Sequence, residues 1–180
     1  MSNSSVRIWD RPVRLLHWSL VAAVVAAWVT RHRIDALHTR FGYATAAIIA
    51  LRVVWGFAGS RYARFRQFVR APGATGRHAR EMLGRRAPRY LGHNPLGGWM
   101  VVTLLAVVAA LDFTGWLFTT ALFWGYKWLS DLHQGFAWAL VGCIALHVGG
   151  VIVMSLHTRE NLVAAMLTGN KPVPRPGDVE

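Results

Sequence analysis

At 180 residues the chain is one domain's worth, yet 54% of it is hydrophobic and its mean hydropathy is +0.32, which excludes an ordinary soluble domain and points to a membrane protein. The net charge of +12 is carried mainly by arginines in the connections between apolar runs, where positive charge orients a chain in a bilayer; nucleic-acid binding is set aside on that ground. A single cysteine, Cys143, excludes an intramolecular disulfide.

Residues 1 to 12 are polar, and Arg11 and Arg14 flank the start of the first apolar run, Leu15 to Thr30. That run contains His17 and Trp18 and has no clear cleavage site, so it is expected to stay as a membrane span and not to be removed as a signal peptide. A polar turn at 31–37 leads to a second span over about 38–59, which carries His38, Gly42 and Arg52. Residues 60–95 hold nine arginines and one acidic residue, Glu81. The positive-charge bias makes this loop cytoplasmic, which puts both termini in the cytoplasm and the connections 31–37 and 119–131 outside. Its amphipathic stretches suit the surface of an anionic inner leaflet. The third span covers 96–118, the aromatic-rich connection 119–131 suits the outer interface, and the fourth span is Leu132 to Leu156. From His157 the tail reads as a short surface helix ending at Gly169, followed by a loose Pro-rich end. The expected fold is all-α: one domain over 1–180, an antiparallel four-helix membrane bundle.

The fourth span carries His133 and His147. Fourteen residues at about 100° each bring the second to within about 40° of the first, roughly 21 Å along one helical face. Imidazole in hydrocarbon is expensive and normally faces a partner or cofactor inside a bundle. Alternating span direction sets depth: His38 and His133 lie towards the outside, His17 and His147 towards the cytoplasm. Two pairs of opposed imidazoles, one near each surface, are what two stacked haems need. With no CxxCH motif, any haem is held without thioethers. His32, His78, His93 and His157 fall in connections or at a span end, where a solvated role is expected.

Arg52 is a charge inside the second span, and either a propionate of the inner haem or the lipid headgroups, reached by snorkelling, would satisfy it. Asp112, in the outer half of the third span, suits a proton relay at a quinone pocket or a hydrogen bond with Thr114. Gly42, Gly135, Gly142, Gly149 and Gly150 would let a flat macrocycle, or equally another helix, approach the backbone.

Seven stretches together resemble a known family: RIWDRPVRLLHW (7–18), HTRFGY (38–43), RVVWGFAGSRYARF (52–65), GHNPLGGWM (92–100), DFTGWLF (112–118), DLHQGFAWAL (131–140) with the downstream His147, and RENLVAAMLTGNK (159–171). They are similar to the bacterial di-haem cytochrome b group, which includes the cytochrome b-561 type and the b-type subunits of nickel-iron hydrogenases. The resemblance implies a four-helix bundle with two non-covalent b haems, His38 and His133 holding the outer one and His17 and His147 the inner. The compact outer connections and short tail make the chain look more like the stand-alone or cytochrome c-linked members than like hydrogenase subunits.

The function so implied is electron transfer across the bacterial inner membrane, between the quinone pool (ubiquinone or menaquinone) and a periplasmic redox protein such as a cytochrome c. Three alternatives stand beside it. A superoxide oxidase would use outer cations such as Arg40 or Lys127 to attract the anion. A transition-metal transporter would gather the histidines into tight clusters, which the separation of His133 from His147 opposes. A non-redox membrane anchor would bind no haem.

Overall fold

The computed structural model describes residues 5–32, 35–84 and 87–179. In chain order these form strand β1 (Ser5–Arg7), helices α1 (Arg11–Thr30) and α2 (Asp35–Ala58), a 3₁₀ turn (Arg61–Ala63), and helices α3 (Phe65–Phe68) and α4 (Pro72–Leu83). Helices α5 (Pro95–Phe118), α6 (Lys127–Thr158) and α7 (Leu162–Thr168) follow, and strand β2 (Asn170–Pro172) closes the series. Among the described residues, four helices are long and apolar enough to cross a membrane: Arg11–Thr30, Ala36–Ala58, Pro95–Phe118 and Lys127–Thr158. The expected spans are thus all present. Positions 33 and 34 of the turn expected at 31–37 lie outside the described residues.

The long helices begin upstream of their apolar runs, α1 and α6 by the most, because polar residues start them. Asp10 caps α1, its Oδ1 accepting from the Val13 N–H at 2.8 Å, so the helix opens at Arg11, with Pro12 in its first turn, where a missing N–H costs nothing. Helix α6 opens at Lys127, inside the aromatic connection, where Lys127 and Asp131 pair at 2.7 Å one turn apart. At the head of α5, Asn94 accepts from the Gly97 N–H at 2.7 Å and Pro95 takes the first helical position. Asn161 caps α7 in the same way through the Ala164 N–H, and Gly169, at φ 89°, ends it in the left-handed conformation that glycine adopts freely.

The chain divides into two compact units, one from Met1–Arg14, Val54–Val101 and Leu146–Glu180, the other from Leu15–Val53 and Val102–Ala145. The second unit is built from the long helices. Ile49 of α2, Val108 of α5 and Leu140 of α6 form its buried centre, with Leu20 and Val24 of α1 and Leu104, Leu105, Val107 and Leu111 of α5 packed around them. Its outer surface is apolar, with Val25, Val29, Leu51 and Trp138 all more than half exposed. Such a surface would aggregate in water and is solvated by lipid in a bilayer.

The first unit has a core of Ile8, Trp9, Val13, Ala63, Leu91 and Ala165, flanked by Val6, Trp55, Tyr62 and Met166. The tail expected to be loose is docked here. β2 pairs antiparallel with β1, Val6 opposite Lys171, and Val179 bridges to Tyr90. Buried charge explains the docking: Arg89 forms ion pairs with Glu160 and Asp178, and Lys171, 5% exposed, lies 4.0 Å from Glu160 and donates to the Tyr90 carbonyl. The segment expected as a basic loop is therefore ordered as the 3₁₀ turn, α3 and α4.

Candidate functional site

Within the second unit, His38 of α2 and His133 of α6 come together, their ring centroids 6.1 Å apart and their planes at 86°. Each ring is held at Nδ1. That of His38 lies 2.9 Å from the Ala27 carbonyl of α1, and since a carbonyl only accepts, Nδ1 carries the proton. That of His133 lies 2.9 Å from Thr114 Oγ1 on α5. The Thr114 hydroxyl donates its one hydrogen back to the Ala110 carbonyl at 2.8 Å, so here too Nδ1 is the donor. The result is two imidazoles whose Nε2 atoms are unprotonated, the tautomer a metal ligand needs, with orientation fixed by a hydrogen bond on the far nitrogen.

The spacing fits one iron between the two rings. Two metal–nitrogen bonds of about 2 Å each, with the nitrogen-to-centre span of each ring added, place opposed axial imidazoles roughly 6 Å apart, centre to centre. The backbone leaves room beside them. Gly42, one turn beyond His38, is half-buried, and a Cβ placed on it would meet no atom within 4 Å. On the other side α5 approaches closely, since a Cβ on Gly115 would stand 3.3 Å from His133 Cε1.

Thr45, 3% exposed, donates to Asp112 Oδ1 at 2.6 Å, joining α2 to α5. Thr45 thus takes the place expected for Thr114, because Thr114 is committed to its own helix and to His133. Arg52 is 8% exposed in the same unit. It is a buried cation and does not snorkel to the headgroups. His17 of α1, also in this unit, is half-buried with its ring edge-on to Trp18 at 5.1 Å. His147 of α6 is half-buried in the first unit.

Of the four remaining histidines, His32 and His157 are exposed as expected. The other two are not solvated. His93 packs between Trp9 and Phe68, with ring centroids 4.7 and 4.8 Å away. His78 is 2% exposed, edge-on to Tyr90, because α4 folds its apolar face inwards. Burial pushes the His78 imidazole below its ordinary range, the Glu81 carboxylate opposes that shift, and His157 adds to it.

The sequence reading missed the carbonyl of Ala27 and the hydroxyls of Thr45 and Thr114 as supports of the site. Thr45 and Thr114 carried a signal, since hydroxyls inside apolar spans commonly bind across or along helices. A backbone carbonyl carries none.

The family profile described as "Prokaryotic cytochrome b561" matches residues 8–169. Among curated proteins, the chain is 24% identical over 216 aligned positions to the "Probable Ni/Fe-hydrogenase B-type cytochrome subunit" of Rhodobacter capsulatus, covering 93% of this chain and 82% of that one. The proteins of the same name from Rhizobium leguminosarum bv. viciae and Bradyrhizobium diazoefficiens are 21% and 22% identical, with 95% and 93% of this chain and 90% and 86% of theirs covered. No solved structure matches the chain.

Proposed function

The chain belongs to the prokaryotic cytochrome b561 family, b-type cytochromes of the bacterial inner membrane, and from that premise we propose that it conducts electrons across the membrane through two b haems, between the quinone pool and a redox protein outside. The observation that carries this reading is the His38–His133 pair, 6.1 Å apart, each Nδ1 held by a hydrogen bond. When bound, haem supplies one-electron exchange between ferric and ferrous iron.

His38 and His133 would hold the outer haem, which, ligated by two imidazoles, would exchange electrons and not bind dioxygen. Ala27 and Thr114 keep the two rings in register. By the family resemblance, His17 and His147 would be the ligands of the inner haem. Arg52, a buried cation within a span, would lend positive charge to a propionate of the inner haem. Asp112, held by Thr45, sits close in sequence to Thr114 and is placed to hold a proton near the outer site.

The rival readings lose support. A metal transporter needs three or four ligands converging, and among the described residues no three of His, Cys, Asp and Glu do so. For superoxide attraction, Lys127 and Arg40 are both exposed, and Asp131, paired with Lys127 at 2.7 Å, offsets part of that positive charge. The relatives' printed names favour a hydrogenase over a cytochrome c as the outer partner. Proteoliposomes holding a quinone pool, offered each partner in turn from outside, separate these two.

The test of the haem assignment is a dithionite-reduced minus oxidised visible spectrum with a pyridine haemochrome count, on wild type and on His38→Ala and His147→Ala. Two b haems in wild type and one in each variant are expected. A folded wild-type protein expressed with haem available but binding none would refute it.

A further inference from the structure

The turn and short helix between α2 and α4 are anchored from the apolar side and carry arginines on the other. A Cβ on Gly56 would fall 2.1 Å from the Phe65 ring, and one on Gly98 2.4 Å from the Phe68 carbonyl oxygen. Both glycines therefore let α3 lie directly against the ends of α2 and α5. Phe68 is fully buried, edge-on to Phe65 and tilted against His93. Arg64 Nε donates to the Gly59 carbonyl at 2.7 Å, the Gln67 N–H to the Arg64 carbonyl, and Trp99 Nε1 to the Arg70 carbonyl at 3.0 Å. The backbone that carries the guanidinium groups is thus fixed before any ligand arrives.

On this platform lies a cleft of about 360 Å³ lined by Arg61, Arg64, Arg66, Gln67 and Arg70. Four arginines thus share one cleft. Glu81, the one acidic residue of 60–95, lines a neighbouring cleft with Arg77 and His78, and Arg70 borders both clefts. Such a gathering of positive charge attracts an anion, and the planar guanidinium fork matches the oxygens of phosphate two at a time. The cleft opens three residues after α2 ends at Ala58, and α5 starts soon after at Pro95. Both flanking elements are span ends, so the arginines stand at headgroup depth, on the face that positive charge keeps in the cytoplasm.

We propose that Arg61, Arg64, Arg66 and Arg70 form a binding site for a phosphate-bearing anion, filled in the membrane by the headgroup phosphate of an anionic phospholipid. The site is independent of the haem assignment, and its test does not depend on haem.

The experiment follows thermal unfolding of the full-length chain in detergent, titrated with short-chain phosphatidylglycerol, short-chain phosphatidylcholine or inorganic phosphate. Phosphatidylglycerol is expected to raise Tm saturably and phosphatidylcholine far less. The double variant Arg66→Gln/Arg70→Gln, at exposed positions, should weaken the phosphatidylglycerol response at least tenfold. The control Arg80→Gln/Arg175→Gln removes the same charge elsewhere in the unit and should change it less than twofold. The single variant Arg66→Gln gives the same ordering if the double variant does not accumulate. Saturation by inorganic phosphate equal to that by lipid, lost in Arg66→Gln/Arg70→Gln, would uphold the site and assign it to a soluble phosphate compound. Equal losses in both double variants, or no saturable response to any of the three, would overturn it.

Discussion

Replacing Thr114 with valine isolates the contribution of one support to the outer site. Valine keeps the shape of threonine and its packing, so the change removes the 2.9 Å bond to His133 Nδ1 and the hydroxyl's own bonds to the Ala110 and Leu111 carbonyls, which stay paired within the helix. Thr114 is 3% exposed, so water does not readily take its place. The lost bond is worth about 0.5–1.5 kcal/mol, and leaving the His133 N–H buried without a partner brings the total to about 1–3 kcal/mol. At 1.4 kcal/mol per decade, haem affinity at the outer site falls roughly 5- to 150-fold, overlapping the 10- to 100-fold typical of losing a ligand's outer support. The assay is haem retained per protein after competition with excess apomyoglobin, together with the two midpoint potentials from a redox titration. One of the two haems should be lost faster and one potential should move, with the other unchanged. Thr45→Val, which loses the bond to Asp112 and leaves His133 untouched, is the control. Retention and potentials identical to wild type in Thr114→Val would refute the view that Thr114 sets the ligand.

Other consequences concern the first unit. Arg89→Ala takes the cation from Asp178 and leaves Glu160 with Lys171 alone, 4.0 Å away, a loss of about 3–5 kcal/mol and roughly 6–20 °C in Tm; a drop under 2 °C by tryptophan fluorescence would show that the network contributes nothing. Gly98→Ala drives a methyl into the Phe68 backbone and should destabilise by about 1–3 kcal/mol, whereas Gly73→Ala, with open space around it, should be neutral. Burial alone would raise the Asp10 carboxyl, but the Ser60 hydroxyl, the Val13 N–H and the Trp55 indole N–H together hold it below its ordinary 3.8. A carboxylate depressed on folding stabilises above its unfolded pKa, and that share is lost as pH falls through the folded value. The Tm gap between wild type and Asp10→Asn should therefore be constant from pH 5 to 7 and close below about pH 4; a gap independent of pH would contradict the assignment.

The site was legible in the sequence as far as depth and periodicity reach. His38 and His133 sit at matching depth in neighbouring spans, and hydropathy with charge bias reports depth well. What touches each ring depends on rotation of one helix against another, which an all-round apolar span does not specify. For that reason Asp112 was matched to Thr114, its neighbour in sequence, when its partner is Thr45 on another helix. In 60–95 the difficulty is different. Nine arginines dominate the composition and hide the few apolar anchors, Phe65, Phe68 and Leu91, that fold it, so His78 and His93 read as solvated when both are packed. The tail was misread because its fixation comes from one distant cation, Arg89, and from pairing with residues more than 160 positions away.

That pairing also constrains arithmetic. Strands β1 and β2 share a register from Ser5 opposite Pro172 to Arg7 opposite Asn170, and two strands hydrogen-bonded to each other occupy the same aqueous compartment. Whatever lies between them must cross the bilayer an even number of times. Four crossings satisfy that parity and three or five do not, so the small sheet reports topology without reference to charge or hydropathy. It also closes only after the last helix has been inserted. A chain in which one span failed to insert would hold its two strands on opposite sides of the membrane, leaving two unpaired edges, and would be marked for proteolysis by the absence of six residues' worth of pairing.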